Sequence, residues 1–299
     1  MARILDGTAL VLMSLSLAAF APGPITRATL AVAGPVQGGT SRITNLPWRL
    51  DARTLGAALH TRDVTLINDL QATAYGILFV DPARIAVVHD GAPPSEPASI
   101  AVIAPGTGLG EALLYWDGSS YHAIASEGGH ADFAPGTDLE IELLRHLRGQ
   151  HGRVSYERVL SGDGIDAIYS FLRARGDPEP AWVTRRLADG DRNAAISALA
   201  LSGRDPCSMK ALDLFCAVLG AEAGNVALRG VATGGVVIAG GIVPHIVPAL
   251  ARGTVERFVD KGRFSSWVEK ISLRVSLDPD APLYGALHWR AGALARRAA

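Results

Sequence analysis

The stretch Val64-Thr65-Leu66-Ile67-Asn68-Asp69-Leu70-Gln71-Ala72-Thr73-Ala74-Tyr75-Gly76-Ile77-Leu78-Phe79 decides the fold. Val64 to Ile67 is a short, mostly β-branched run, the pattern of a buried strand. Asn68 and Asp69 stand at its carboxyl end, and Leu70 to Phe79 then reads as a helix. Upstream, Thr29 to Ala33 is another apolar strand, closed by Gly34-Pro35. Asp51 to Leu59 is a short amphipathic helix with Asp51 as its cap. Strands alternating with helices predict βαβ units and a largely parallel sheet, hence an α/β fold. Sheets of that kind bind ligands at the carboxyl ends of their strands, where Asn68 and Asp69 fall.

Further along, Ile100 to Ala104 predicts a strand, and Pro105-Gly106-Thr107-Gly108-Leu109-Gly110 a tight glycine loop. Ala112 to Trp116 predicts a second strand, ended by the hairpin-type turn Asp117-Gly118. Leu139 to Gly149 and Met209 to Leu228 read as helices. Val236 to Ala239 is a strand, Gly240-Gly241 a turn, and Val247 to Phe258 a helix. Leu283 to Arg297 is a closing amphipathic helix. Gly91 to Pro97 has the composition of a linker. Thr8 to Ala21 predicts an apolar helix stopped by Pro22-Gly23-Pro24, although Ala19-Phe20-Ala21 also imitates a signal-peptide cleavage site.

The 299 residues favour two domains over one. Lys and Arg number 28 against 29 Asp and Glu, and no run of like charge occurs, so the chain is not a dedicated nucleic-acid binder. The N-terminal apolar run falls short of the ~20 residues a membrane span needs. Cys207 and Cys216 are the two cysteines; they form neither a disulfide framework nor a zinc site, and read as reduced cytosolic thiols.

Several residues have the chemistry of a site. Gly106, Thr107, Gly108 and Gly110 let backbone N–H groups approach an anion such as the phosphates of a nucleotide. A sharp hairpin needing glycine only for its backbone angles is the competing reading. Asp69 can take a proton from a substrate hydroxyl, or simply cap the helix that follows. Glu127, His130 and Glu157 suit a polyol, since carboxylates accept in pairs from vicinal hydroxyls. Alternatives are a structural histidine and a salt-bridged helix start. No protein metal-ligand set stands out. Gly240-Gly241 permits close approach of a ring or ribose, or a tight turn. Asn45 can face a sugar, while Trp48 reads as core.

Taken in order, these segments resemble the bacterial glucokinases without a zinc-binding cysteine cluster, in the sugar kinase–actin superfamily. The matching segments are Ala31 to Val36, Thr44-Asn45 with Trp48, Ile67 to Leu70, Pro105 to Gly110, and Glu127 to His130 with Asp132 to Pro135. Glu157 to Gly162, Gly234-Gly235 with Ile238 to Pro244, and Phe258 to Phe264 complete the set. The related repressor–kinase group carries a Cys-rich zinc motif that this chain lacks.

The resemblance implies a two-domain ribonuclease H-like sugar kinase fold with a cleft between domains. It places residues 1–79 plus 281–299 in a smaller α/β domain and 80–280 in a larger one. It implies a cytoplasmic, glycolytic kinase acting on glucose with ATP and Mg²⁺, and a homodimer, as family members often are. Asp69 matches the catalytic base. Asn68, Glu127, His130 and Glu157 match glucose-binding positions, with Asn45 beside them. Gly106 to Gly110 match a phosphate loop, and Gly240-Gly241 lie at the adenosine pocket. The family opens with a strand ending in Asp-x-Gly-Gly-Thr, its first phosphate loop. Here Asp6-Gly7-Thr8 is a superficial echo, so the first sheet is expected to lack its N-terminal strands. A glucose-binding protein without ATP turnover is the second reading this start suggests.

Overall fold

The computed structural model describes residues 24–44 and 46–289. The predicted helix over Thr8 to Ala21, the candidate Asn45 and the end of the closing helix lie outside them. The chain divides into two compact units, one of Met1–Phe79 with Asp280–Ala295, the other centred on Val80–Pro279.

In the first unit, β1 (Ala28–Val32) and β5 (Val64–Asn68) pair in parallel, with Val32 opposite Asn68. Between them lies an antiparallel three-stranded sheet of β2 (Val36–Gln37), β3 (Thr40–Arg42) and β4 (Arg49–Asp51). The helix Ala52–Leu59 follows, started by Asp51, whose Oδ1 accepts the N–H groups of Arg53 and Thr54 at 2.9 and 3.0 Å. Among the described residues one core cluster of this unit gathers Val32, Leu55 and Leu66, and Leu59, Ile67, Ala72 and Tyr75 are buried as well. The helices Asp69–Gly76 and Ala281–His288 pack closely, because Gly76 faces the carbonyl of Ala281 and Gly285 faces that of Ala72. A side chain at either glycine would collide with backbone.

The second unit holds a six-stranded sheet in the order β6-β11-β10-β7-β8-β9. Its strands are β6 (Ile85–His89), β7 (Ile100–Pro105), β8 (Leu109–Trp116), β9 (Tyr121–Ser126), β10 (Gly235–Ile238) and β11 (Leu273–Ser276). Only β7, β10 and β11 run parallel to one another; β6, β8 and β9 join antiparallel. The sheet is therefore mixed, where the β/α alternation predicted a largely parallel one. Two successive hairpins, which need no crossover helix, bring in β8 and β9, and β6 adds at the opposite edge antiparallel to β11.

Helices Gly162–Ala174, Arg192–Leu201 and Pro206–Gly230 pack around the main core, which includes Tyr169, Phe215, Leu212 and Ile103. The 25-residue helix Pro206–Gly230 has the length and hydropathy of a membrane span, yet 72% of its most apolar window is buried inside the unit. It starts at Asp205, which is itself buried and accepts from Ser208 N–H at 2.9 Å and Ser208 Oγ–H at 2.6 Å. The helix predicted over Val247 to Phe258 is two helices, Val243–Leu250 and Thr254–Val259. Gly253, at φ +82°, turns the chain between them. Cys207 and Cys216 are free and buried.

Candidate active site

Asn68 and Asp69 sit where β5 becomes the helix Asp69–Gly76. Asn68, not Asp69, is the principal cap: its Oδ1 accepts from Leu70 N–H at 2.9 Å and Gln71 N–H at 3.2 Å. Its Nδ2 donates to the Gly34 carbonyl at 3.3 Å, tying the strand end to the turn after β1. That arrangement spares Asp69 the main capping role. One carboxylate oxygen accepts from Leu70 N–H at 2.9 Å, and the carboxylate also interacts with the N–H of Asp69 itself. Burial pushes the Asp69 carboxyl above the usual carboxylate range, against the opposing pull of its backbone hydrogen bonds. A carboxylate made more basic in this way is better suited to accept a hydroxyl proton.

In the second unit, the turn Gly128–His130 and the turn Tyr156–Arg158 are stitched together by backbone. Phe133 N–H donates to the Val154 carbonyl at 3.0 Å, and Tyr156 N–H to that of Ala131 at 3.0 Å. An isolated bridge joins Asp132 to Ser155. This brings Glu127, His130 and Glu157 together from 30 residues apart in sequence. His130 Nδ1 lies 3.7 Å from Glu157 Oε1, and its Nε2 lies 3.9 Å from Glu127 Oε2. Glu127 and His130 are mostly exposed; Glu157 is more deeply set. Its Oε2 accepts from Leu109 N–H at 3.0 Å, and a side chain on Gly108 would collide with it. Three acceptor-rich side chains thus converge, with two carboxylates and an imidazole able to serve several hydroxyls at once.

The glycine segment is a hairpin joining β7 and β8, with Gly106 N–H donating to Gly108 carbonyl at 2.8 Å. Gly110 already belongs to β8, opposite Ala104. The Gly106 carbonyl accepts from Gly162 N–H at 2.9 Å, fixing the hairpin to the first turn of the helix Gly162–Ala174. Beside this junction lies a cavity of about 630 Å³, lined by Gly106, Thr107, Gly162, Asn193, Gly241 and Ile246 among others. That volume suits a ligand of nucleotide size.

The structure therefore gathers Gly106, Thr107 and Gly241 at one cavity. Gly108 stands on the other side, against Glu157. Gly240, at φ +93°, crosses the end of β7 so closely that a side chain would meet the Pro105 carbonyl. Trp48, partly buried, lines a smaller cavity of the first unit with Arg42 and Arg49. Asn193 and Ser197 were not singled out from sequence; an Asp191 cap ahead of an alanine-rich helix was their only signal. Among the described residues no three His, Cys, Asp or Glu side chains form a metal cage.

A family model described as Glucokinase matches residues 9–293. A glucokinase from Trichormus variabilis is 41% identical over 280 residues, covering 89% of this chain and 82% of its own. One from Synechocystis is 40% identical over 281 residues, covering 89% and 79%. The crystal structure of a glucokinase from an Antarctic psychrotroph superposes with a TM-score of 0.80 at 34% identity, covering 93% of this chain and 84% of its own. A ROK family glucokinase from Streptomyces griseus, solved with glucose and AMPPNP, shares the fold with a TM-score of 0.65 at 20% identity, over 96% and 88%.

Proposed function

Because the chain belongs to the glucokinase family, we propose as its function the ATP-dependent phosphorylation of glucose to glucose 6-phosphate, the step that commits glucose to glycolysis. The observation that carries this reading is the convergence of Glu127, His130 and Glu157 on a glycine hairpin whose other side opens on a nucleotide-sized cavity.

In this reading Glu127, His130 and Glu157 hold the sugar hydroxyls, and Asn68 and Asn45 are further sugar-binding residues. Asp69 takes the proton of the 6-hydroxyl as that oxygen bonds to the γ-phosphorus. The bond from the γ-phosphorus to the β–γ bridging oxygen breaks, and ADP leaves. Gly106 and Thr107, which line the cavity, border the phosphates, and Gly241, with Gly240 before it, bounds the adenosine end. Phosphoryl transfer asks the protein chiefly to position groups and to neutralise charge. Mg²⁺, where it accompanies ATP, would supply part of that neutralisation. Such an ion needs only one or two carboxylates beside phosphate and water, which the exposed Asp163 carboxylate at the cavity can provide. The family relationship supports a cytoplasmic location and makes a homodimer the assembly to test.

The deciding experiment is glucose 6-phosphate formation by the purified chain with ATP, Mg²⁺ and glucose, beside Asp69→Ala. Turnover abolished by the substitution supports the reading. Undiminished turnover removes Asp69 from the mechanism, and a folded chain without turnover removes the kinase reading.

A further inference from the structure

Behind the glucose-site turns lies a polar network that the phosphoryl-transfer reading leaves unused. Glu222, Asn225 and Arg229 project from one face of the helix Pro206–Gly230, at the spacing that stacks side chains along a helix. Asn225 Nδ2 donates to Glu222 Oε2 at 2.9 Å and to the Tyr156 hydroxyl at 3.2 Å, reaching the residue next to Glu157. Arg229 Nη2 donates both to Glu222 Oε1 and, at 3.4 Å, to Glu111 Oε2. Glu111, on β8, lies directly beneath Gly128: a side chain there would run into its carboxyl group. The network therefore backs both turns, one at Gly128 and one at Tyr156. Gly128 is the neighbour of Glu127.

Its charges do not balance as ordinary ions. Glu111 and Glu222 are both buried, and they share one guanidinium. Glu111 Oε1 is buried and has no hydrogen-bond partner among the described residues. A buried carboxylate in that position costs free energy that a neutral carboxyl does not.

We propose that Glu111 is a positioning residue of the glucose site: it is protonated in the working enzyme, seats the Glu127–His130 turn on Glu222 and Arg229, and on losing its proton weakens glucose binding while leaving nucleotide binding intact. This inference rests on the glucose assignment made above. Burial, reinforced by the neighbouring Glu222 charge and opposed by Arg229, pushes the Glu111 carboxyl up to about 8. Tyr156, facing Glu222 from the second turn, is held protonated well beyond its usual range, first by burial and then by that carboxylate. Lys261 is the remaining cation near Glu222, and burial lowers its proton affinity. With the proton on Glu111, the pair and Arg229 carry no net charge. Without it, one uncompensated anion lies under Gly128, and the turn must move to admit water.

The test is glucose and AMPPNP binding by calorimetry, with glucose and ATP KM, from about pH 6.5 to about pH 9.5. The wild-type protein is compared with Glu111→Gln, which cannot ionise, and with Arg229→Met, which removes the cation that favours ionisation. Wild-type glucose affinity is expected to weaken up to about tenfold per pH unit beyond about 8, with AMPPNP affinity flat. Glu111→Gln is expected to abolish that alkaline loss, and Arg229→Met to move it to higher pH. A wild-type protein that binds glucose without the loss, or a Glu111→Gln variant that retains it, overturns the proposal. If Glu111→Gln fails to fold, Arg229→Met decides: an unmoved limb overturns the proposal and an upward shift supports it. Absence of glucose binding at every pH would instead overturn the glucose assignment, and this inference with it.

Discussion

At the scale of the residue, the division of labour between Asn68 and Asp69 matters most. The amide of Asn68 supplies the principal helix cap, so that role does not fall to Asp69. Asp69→Asn preserves shape and removes basicity. It is expected to lower kcat by about 10²- to 10⁴-fold, with glucose affinity by calorimetry changed little. The raised proton affinity of Asp69 sets a second expectation: activity falls with decreasing pH at a value above 3.8, because the base must be ionised. Gly108 is constrained by the Glu157 carboxylate beside it. Gly108→Ala displaces that carboxylate and should raise glucose KM more than ATP KM in steady-state kinetics. Glu111 also has a signature in stability. Its proton affinity is higher folded than the ordinary 4.5 of a glutamate, at about 8. Its contribution is whole below pH 4.5 and is lost as pH rises to about 8, where the unfolded chain has already released the proton. The Tm of the wild-type protein should therefore fall across that window more than that of Glu111→Gln, as differential scanning calorimetry would register.

At the scale of the element, what the sequence disclosed follows physical rules. The strand Val64–Asn68, the helix after it and the β7–β8 hairpin were legible because their signals are local: a β-branched run, polar residues at the strand end and a glycine cluster; the cap, read at Asp69, is Asn68. Strands β6, β9 and β11 were not, because half-buried or four-residue runs carry too little pattern to separate from loops. The break at Gly253 was overlooked because the apolar periodicity continues on either side of it. Sequence proximity brought Glu127 and His130 together, but only the backbone bridge between Asp132 and Ser155 brings Glu157 to them. Glu222 had one signal, an isolated acid within an apolar helix, and its partner Glu111 had none. The long helix also depends on its start. Asp205→Ala removes the bonds to Ser208 and should cost about 1–2 kcal/mol by chemical denaturation. It lies away from the site, so KM for either substrate should hold.

At the scale of the whole molecule, strands of the two units differ in burial. The strand β10 is buried along its whole length and β7 nearly so, whereas β1 is half-buried over most of its length. Strands closer to water have smaller local stability. Hydrogen exchange followed by mass spectrometry should show the amides of β1 and β5 opening well before those of β7 and β10. Protection that is equal in both pairs would show that the units unfold as one. The β7–β8 hairpin has a wider consequence. Its Leu109 N–H holds the carboxylate of the sugar turn, while Thr107 and Gly106, two and three residues earlier, wall the nucleotide cavity. Four consecutive residues therefore border both places, and whatever factor one ligand imposes on the other's affinity is imposed equally in return, whichever binds first.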